Sequence, residues 1–160
     1  MAGCGPHAGP LGDRELKLAV LAVGRCRDRR IAHLCEDYLD RISRHVSAGL
    51  VEVEGRTDRA LLDRLKRSCS PGTHVVALDP GGEAMDSRGF ARRLEVLLAR
   101  HQRVAFLVGG ADGLPAGVDA LVHERLSLSP MTLPHRLARL LLLEQIYRAF
   151  TIIRGEPYHK

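Results

Sequence analysis

Val104-Ala-Phe-Leu-Val-Gly-Gly-Ala-Asp-Gly-Leu114 is the stretch that decides the fold. Five apolar residues in succession suit a strand buried on both faces, and the glycines that follow end it abruptly. Two more runs of this kind lie upstream: Leu18 to Val23, ended by Gly24, and His74 to Leu78, stopped by Asp79-Pro80-Gly81-Gly82. Between them the apolar period changes to that of helices. Ile31, Leu34, Cys35, Tyr38 and Ile42 recur at three- and four-residue spacing within residues 29–45. Leu50 to Val53 reads as a short strand. Thr57 is a plausible N-cap for a helix carrying Leu61, Leu62 and Leu65 that ends before Pro71-Gly72. A third helix, from Asp86 or Ser87, carries Phe90, Leu94, Leu97 and Leu98. The pattern up to Val108 is therefore βαβαβαβ. Beyond it, Pro115 opens a short helix, Leu126 to Leu128 form a fifth strand, and a long helix fills residues 134–153 with Pro134 in its first turn. Alternation of this kind predicts an α/β fold with a mostly parallel sheet and flanking helices, its ligand site at the carboxyl ends of the strands.

The whole chain has 160 residues, 45% hydrophobic and 27% charged, enough for one globular core without a disulfide or metal staple. Residues 13–160 are expected to form that single domain, with the Gly- and Pro-containing residues 1–12 as a flexible tail outside it. The greasiest stretch, Leu137 to Ile146, is interrupted by Arg139 and Glu144, so no membrane span is expected. Cys4, Cys26, Cys35 and Cys69 lack the spacing of a structural zinc site, and the opening residues lack the apolar region of a signal peptide. Reduced thiols, no metal and a cytoplasmic location follow as expectations.

The excess of 24 Lys+Arg over 19 Asp+Glu favours a polyanionic partner. Three Tyr, three Phe and no Trp argue against a protein that stacks many successive bases on an aromatic platform. The last helix is apolar around most of its circumference, with Leu137, Leu140 to Leu143, Ile146, Phe150 and Ile153. One side should face the sheet and another a second hydrophobic surface, for which another copy of the chain is the expected partner. A charge at Leu142 or Leu143 should then separate or unfold that dimer if either side chain is in the interface.

Three loops follow strands in the second half: Leu78 to Gly82, Gly109 to Gly113 and Leu128 to Pro134. All should open on one sheet edge, where glycines let backbone approach a ligand and read it through N–H and C=O groups. Each alone is equally a tight turn. Gly109-Gly110-Ala111-Asp112-Gly113 misses the G-x-G-x-x-G spacing and no Walker lysine is present, which removes the phosphate fingerprint that a nucleotide oxidoreductase needs.

Val108-Gly-Gly-Ala-Asp-Gly-Leu114, Leu126-Ser-Leu-Ser-Pro-Met-Thr-Leu-Pro-His135, Glu144-Gln-Ile-Tyr-Arg-Ala-Phe150 and Arg154-Gly-Glu-Pro-Tyr-His-Lys160 together resemble the bacterial ribosomal RNA large subunit methyltransferase H family. The likeness runs from about Lys17 to Lys160. The loop Glu54 to Thr57 is shorter than is common in that family, and Ala111 stands where proline is frequent. The resemblance implies a SPOUT-class enzyme with a C-terminal trefoil knot, working as a homodimer. The implied reaction is methylation of N3 of a pseudouridine in 23S rRNA, with S-adenosylmethionine as the methyl donor. It further implies cofactor contacts from Leu78, Gly109, Leu128, Ser129, Pro130, Met131, Thr132 and Leu133, and a C-terminal tail over the active site. A non-catalytic ribosome- or RNA-binding protein is the alternative reading of the basic composition.

Methyl transfer from a sulfonium needs an in-line nucleophile about 3–3.5 Å from the methyl carbon, while the neutral thioether leaves without an acid. The N3 imide proton must depart, taken by a base or made labile by nearby positive charge. Arg148, Tyr158 and His159, and less strongly His135, are the candidates. Their alternative roles are helix-start hydrogen bonding for His135, an ion pair with Glu144 for Arg148, and a solvated chain end for Tyr158 and His159. Arg25, Arg27, Arg29 and Arg30, clustered after the first strand, are candidates for holding the RNA backbone, or else a solvated helix start.

Overall fold

A computed structural model of the chain describes residues 16–160, so the tail expected at residues 1–12, and Cys4 with it, lie outside the described residues. The elements run β1 (Leu18–Val23), α1 (Arg29–Ser43), β2 (Ala48–Val53), α2 (Asp58–Ser68), β3 (Thr73–Ala84), α3 (Ser87–Arg100), β4 (Arg103–Val108), a 3₁₀ turn (Val118–Ala120), β5 (Glu124–Ser127) and α4 (His135–Arg154). The strands form one sheet in the order β2-β1-β4-β3-β5. Every pairing is parallel.

The unbroken apolar runs are explained by burial on both faces. Leu18, Val20 and Ala22 of β1, Val76 of β3 and Phe106 of β4 pack with α1, α3 and α4. The alternate residues Leu21, Val75, Ala77 and Leu107 face the layer made by α2 and Val118. Local signals set the helix starts: the Asp28 carboxylate accepts from the N–H groups of Arg30 and Ile31, Thr57 from Ala60, and Asp86 from Gly89.

Several expectations are corrected. Asp79-Pro80-Gly81-Gly82 does not end β3. The strand makes a four-residue excursion there and pairs again with β5, both Leu78 and Glu83 lying opposite Leu126. Within the excursion the Asp79 carboxylate accepts from Gly81 N–H at 2.8 Å, and Ser127 Oγ donates to the Pro80 carbonyl at 3.1 Å. A Cβ on Gly82 would stand 2.7 Å from the Arg125 backbone, so only glycine lets the returning strand pass β5 this closely. β5 itself ends at Ser127, which leaves Leu128 to the following loop, and the short helix begins at Val118 rather than at Pro115.

Burial also reassigns two helix faces. Leu34 is exposed rather than part of the inner stripe of α1. On α4, Leu142 and Leu143 are both fully buried in the protein's own core, so neither is free to meet a partner. The apolar side chains left outside on that helix are Leu137 and Leu141, each 42% exposed and one turn apart.

Candidate active site

β4 lies between β1 and β3, and β5 borders β3, so the three glycine- and proline-rich loops emerge side by side at the carboxyl edge of the sheet. They enclose a cavity of about 580 Å³, within the usual range for small-molecule sites. Leu78, Asp79 and Pro80 form one wall, and Val108 to Ala111 with Gly113 form a second. The third comes from Leu128, Ser129 and Met131 to Pro134, with His135 and Ala138 from the first turns of α4. Of the expected cofactor contacts, Leu78, Gly109, Leu128, Ser129, Met131, Thr132 and Leu133 line this cavity. Pro130 shares the third loop but stands exposed, outside the wall.

The glycines of the second wall have a geometric reason. Gly110 and Gly113 exchange backbone hydrogen bonds of 3.0 Å in both directions, closing a tight loop in which Gly113 has φ +83°. A Cβ on Gly109 would stand 2.9 Å from the Gly113 carbonyl carbon, so a side chain would push the loop into the cavity or open it. In the third wall, Ser129 Oγ accepts from Met131 N–H at 3.0 Å and bends the chain so that Met131 stands at the rim, 74% exposed. Asp79 is the carboxylate of the wall. Arg125 holds it through Nη1 at 2.6 Å and reaches Asp119 through Nη2.

His135 joins the cavity, but Arg148, Tyr158 and His159 do not. At about 1.5 Å per residue, Arg148 lies roughly 20 Å along α4 from His135. It is held at that distance by Glu144, which accepts from its Nε at 3.1 Å and its Nη2 at 2.6 Å, the ion pair that i,i+4 spacing allows. Gly155, in the left-handed conformation at φ +68°, turns the chain back over this pair. Tyr158 Oη then donates to Glu144 at 3.2 Å and lies 3.3 Å from Tyr38 Oη, and Arg148 Nη1 donates to His159 Nδ1 at 3.4 Å. The hydrogen bond it donates to Glu144 raises the Arg148 pKa, so the guanidinium stays charged. Burial, reinforced by Tyr38 and Glu144, pushes the Tyr158 phenol well above its ordinary range. Sequence reading paired Arg148 with Glu144 but missed Tyr38, which the fold brings from α1.

Arg25, Arg27, Arg29 and Arg30 are all exposed on the loop after β1 and the start of α1. Arg25 pairs with Glu54 at 3.6 Å and Arg30 with Asp28 at 3.3 Å, whereas Arg27 and Arg29 have no ion-pair partner among the described residues. This loop borders the cavity, because Gly110 packs against Val23 at the end of β1. No group of three or more His, Cys, Asp or Glu is placed to hold a metal among the described residues, and no helix among them is long and apolar enough to cross a membrane.

A family profile described as "Predicted SPOUT methyltransferase" matches residues 16–159, the described fold almost end to end. The chain belongs to the SPOUT methyltransferase family. Among relatives of this SPOUT protein, the Ribosomal RNA large subunit methyltransferase H of Sorangium cellulosum is 46% identical over 144 residues, covering 89% of this chain and 99% of the relative. The protein of the same name from Anaeromyxobacter dehalogenans is 44% identical over 157 residues, covering 91% and 100%. A solved structure titled as a probable methylase family protein from Haemophilus influenzae shares the fold, with a TM-score of 0.53 at 12% identity over 89% of this chain and 68% of that one.

Proposed function

We propose that this SPOUT protein transfers the methyl group of S-adenosylmethionine to N3 of a pseudouridine in 23S rRNA of the large ribosomal subunit, acting in the cytoplasm as a homodimer. The single observation that carries the reading is the three-loop cavity at the carboxyl ends of β3, β4 and β5. A non-catalytic RNA-binding protein has no use for it. The names of the relatives support the substrate.

The residues present fit the cofactor. The cavity is large enough for an adenosyl group with its amino-acid arm, its walls are mainly apolar side chains and glycine backbone, and a Cβ on Gly109 would disturb it. Leu78, Gly109, Leu128, Ser129 and Met131 to Leu133 would hold it, and when bound it supplies an electrophilic methyl group. Loop Leu128–Pro134 crosses from edge strand β5 to α4 past the other two loops, which is the region where the trefoil threading would lie.

The cavity stands at one end of α4 and Arg148, Tyr158 and His159 toward the other, so one copy alone does not assemble the full site. A second copy packed antiparallel along Leu137 and Leu141 would carry its own Arg148, Tyr158 and His159 to the first copy's cavity. The roles divide by protonation. Tyr158 stays a phenol and donates a hydrogen bond. Arg148 keeps its charge and favours loss of the N3 imide proton, a contribution of the kind whose removal costs on the order of 10²–10³ in rate. His159 Nδ1 already accepts from Arg148, so the imidazole can take a proton only as that contact opens. His135, on the cavity wall, orients the base.

The test is methylation of large ribosomal subunits lacking the modification, with methyl-labelled S-adenosylmethionine and nucleoside mass spectrometry. Label on N3 of pseudouridine is expected; label on a ribose or a carbon, or none, overturns the reading. Calorimetry with S-adenosylhomocysteine separates enzyme from binding module, and Arg148→Ala should slow single turnover while leaving that binding intact.

A further inference from the structure

A second hollow, of about 380 Å³, lies between α3 and the end of α4, lined by Arg88, Arg92, Thr151, Ile152, Gly155, Glu156 and His159. It is separate from the cofactor cavity and shares no residue with it. Arg88 and Arg92 are exposed on one face of α3, a full turn apart, and neither has an ion-pair partner among the described residues. Arginines at i and i+4 on a helix repel one another. Their neighbour Arg93 points elsewhere and is neutralised by Glu124, at 3.0 Å from Nε. Glu156 is the carboxylate on the groove, so the balance there is two fixed positive charges against one negative charge.

Planar guanidinium groups with free N–H forks, set in a groove and facing no carboxylate of their own, match phosphate oxygens. His159 stands on the same groove and also contacts Arg148 at 3.4 Å, so the groove runs directly to the cluster that handles the base. We propose that Arg88 and Arg92 hold phosphates of the rRNA strand beside the nucleotide being methylated, with the groove between α3 and the C-terminal tail as the track for that strand. The inference rests on the rRNA reading above and adds to it a docking surface distinct from Arg25, Arg27, Arg29 and Arg30. Phosphate contacts fix register and carry no sequence information, so the groove positions the strand and the tail meets the base.

The test compares the wild-type dimer with Arg88→Gln/Arg92→Gln on large ribosomal subunits lacking the methyl group. A control, Arg59→Gln/Arg67→Gln, removes the same charge from α2 on the opposite layer. The groove variant should bind subunits about tenfold more weakly near physiological salt, and its plot of log affinity against log salt should flatten by about 1.4–1.8, the share of two phosphate contacts. KM for subunits should rise in step, with the rate at saturation and the affinity for S-adenosylhomocysteine unchanged. Arg88→Lys/Arg92→Lys should recover most of the loss. An unaltered affinity and salt slope, or an equal loss in the α2 control, overturns the groove while the rRNA reading stands. If wild-type protein leaves the subunits unmethylated, that reading falls and the groove with it.

Discussion

Arg139 on α4 donates from Nη1 to Glu52 on β2 at 2.5 Å, with the arginine only 1% exposed. Its Nη2 donates to the Gly24 carbonyl at 3.0 Å, and Glu52 also accepts from Cys26 N–H at 2.8 Å. One guanidinium therefore ties the C-terminal helix to the first βα loop, near the mouth of the three-loop cavity. Removing one partner of a buried pair leaves the other charge uncompensated. Glu52 is partly open to water, so Glu52→Gln should cost about 2 kcal/mol, below the roughly 3–5 kcal/mol of a fully buried break. A melting temperature lowered by roughly 4–8 °C is the expected reading, and an unchanged melt would show that the Glu52 charge does not contribute to stability.

Gly109→Ala and Gly113→Ala should fail differently. At Gly109 the added methyl meets Gly113 backbone at 2.9 Å, so the cavity wall must move and S-adenosylhomocysteine affinity should fall at least about tenfold. At Gly113 the space is open but φ is +83°, so the cost is backbone strain on the order of 1–2 kcal/mol, read mainly as lost stability. Calorimetry and thermal melts on both variants check the contrast.

Leu141→Arg and Leu142→Arg, adjacent in sequence, should separate association from folding. Leu141 is exposed, and a charge there should yield a folded monomer in sedimentation at micromolar concentration. Leu142 is completely buried, and the same change should unfold the protein, since an unpaired buried charge exceeds ordinary mutational costs. A folded dimer for Leu141→Arg would move the interface away from this face.

Acid should weaken the fold through His101 and Glu124 at the amino end of the sheet. His101 stacks on His74 with ring centroids 4.2 Å apart, and His74 stacks on His123 at 4.8 Å. Glu124 lies 2.5 Å from His74 Nε2 and pairs with Arg93, while His123 Nδ1 accepts from Val75 N–H. Burial and the neighbouring His74 lower the His101 pKa below its ordinary 6.5. Burial pushes Glu124 up, but its hydrogen bonds from Arg93 and His74 outweigh this and leave it below 4.5. With both groups depressed, the unfolded chain binds more protons, so stability is complete above about pH 6.5 and falls as pH drops, through His101 first and Glu124 below 4.5. His101→Gln should lose less melting temperature than wild type between pH 7.5 and 5.5. Equal losses would exclude His101 as a contributor.

The sequence by itself determined the parallel sheet, because runs such as Val104 to Val108 have no polar face and need cover on both sides. It also set the helix starts at Asp28, Thr57 and Asp86, where a side chain bonds the backbone within three residues, and it marked the glycine loops that wall the cavity. These are local properties, read within one turn or one strand. Tertiary structure decided the rest. The turn signal at Asp79 to Gly82 was real, yet β3 continues because β5, more than forty residues later, offers Leu126 and Ser127 for renewed pairing. Leu141 and Leu142 are chemically identical, and only the packing of α4 on the sheet makes one of them surface and the other core. Arg139 interrupts an apolar helix visibly in the sequence, but its purpose waits on Glu52 arriving from β2. Arg148, Tyr158 and His159 assemble around Glu144 and Tyr38 far from the cavity, since the length of α4 sets the distance between the cavity loops and the tail, and composition and spacing say nothing of which surfaces a helix that long will join.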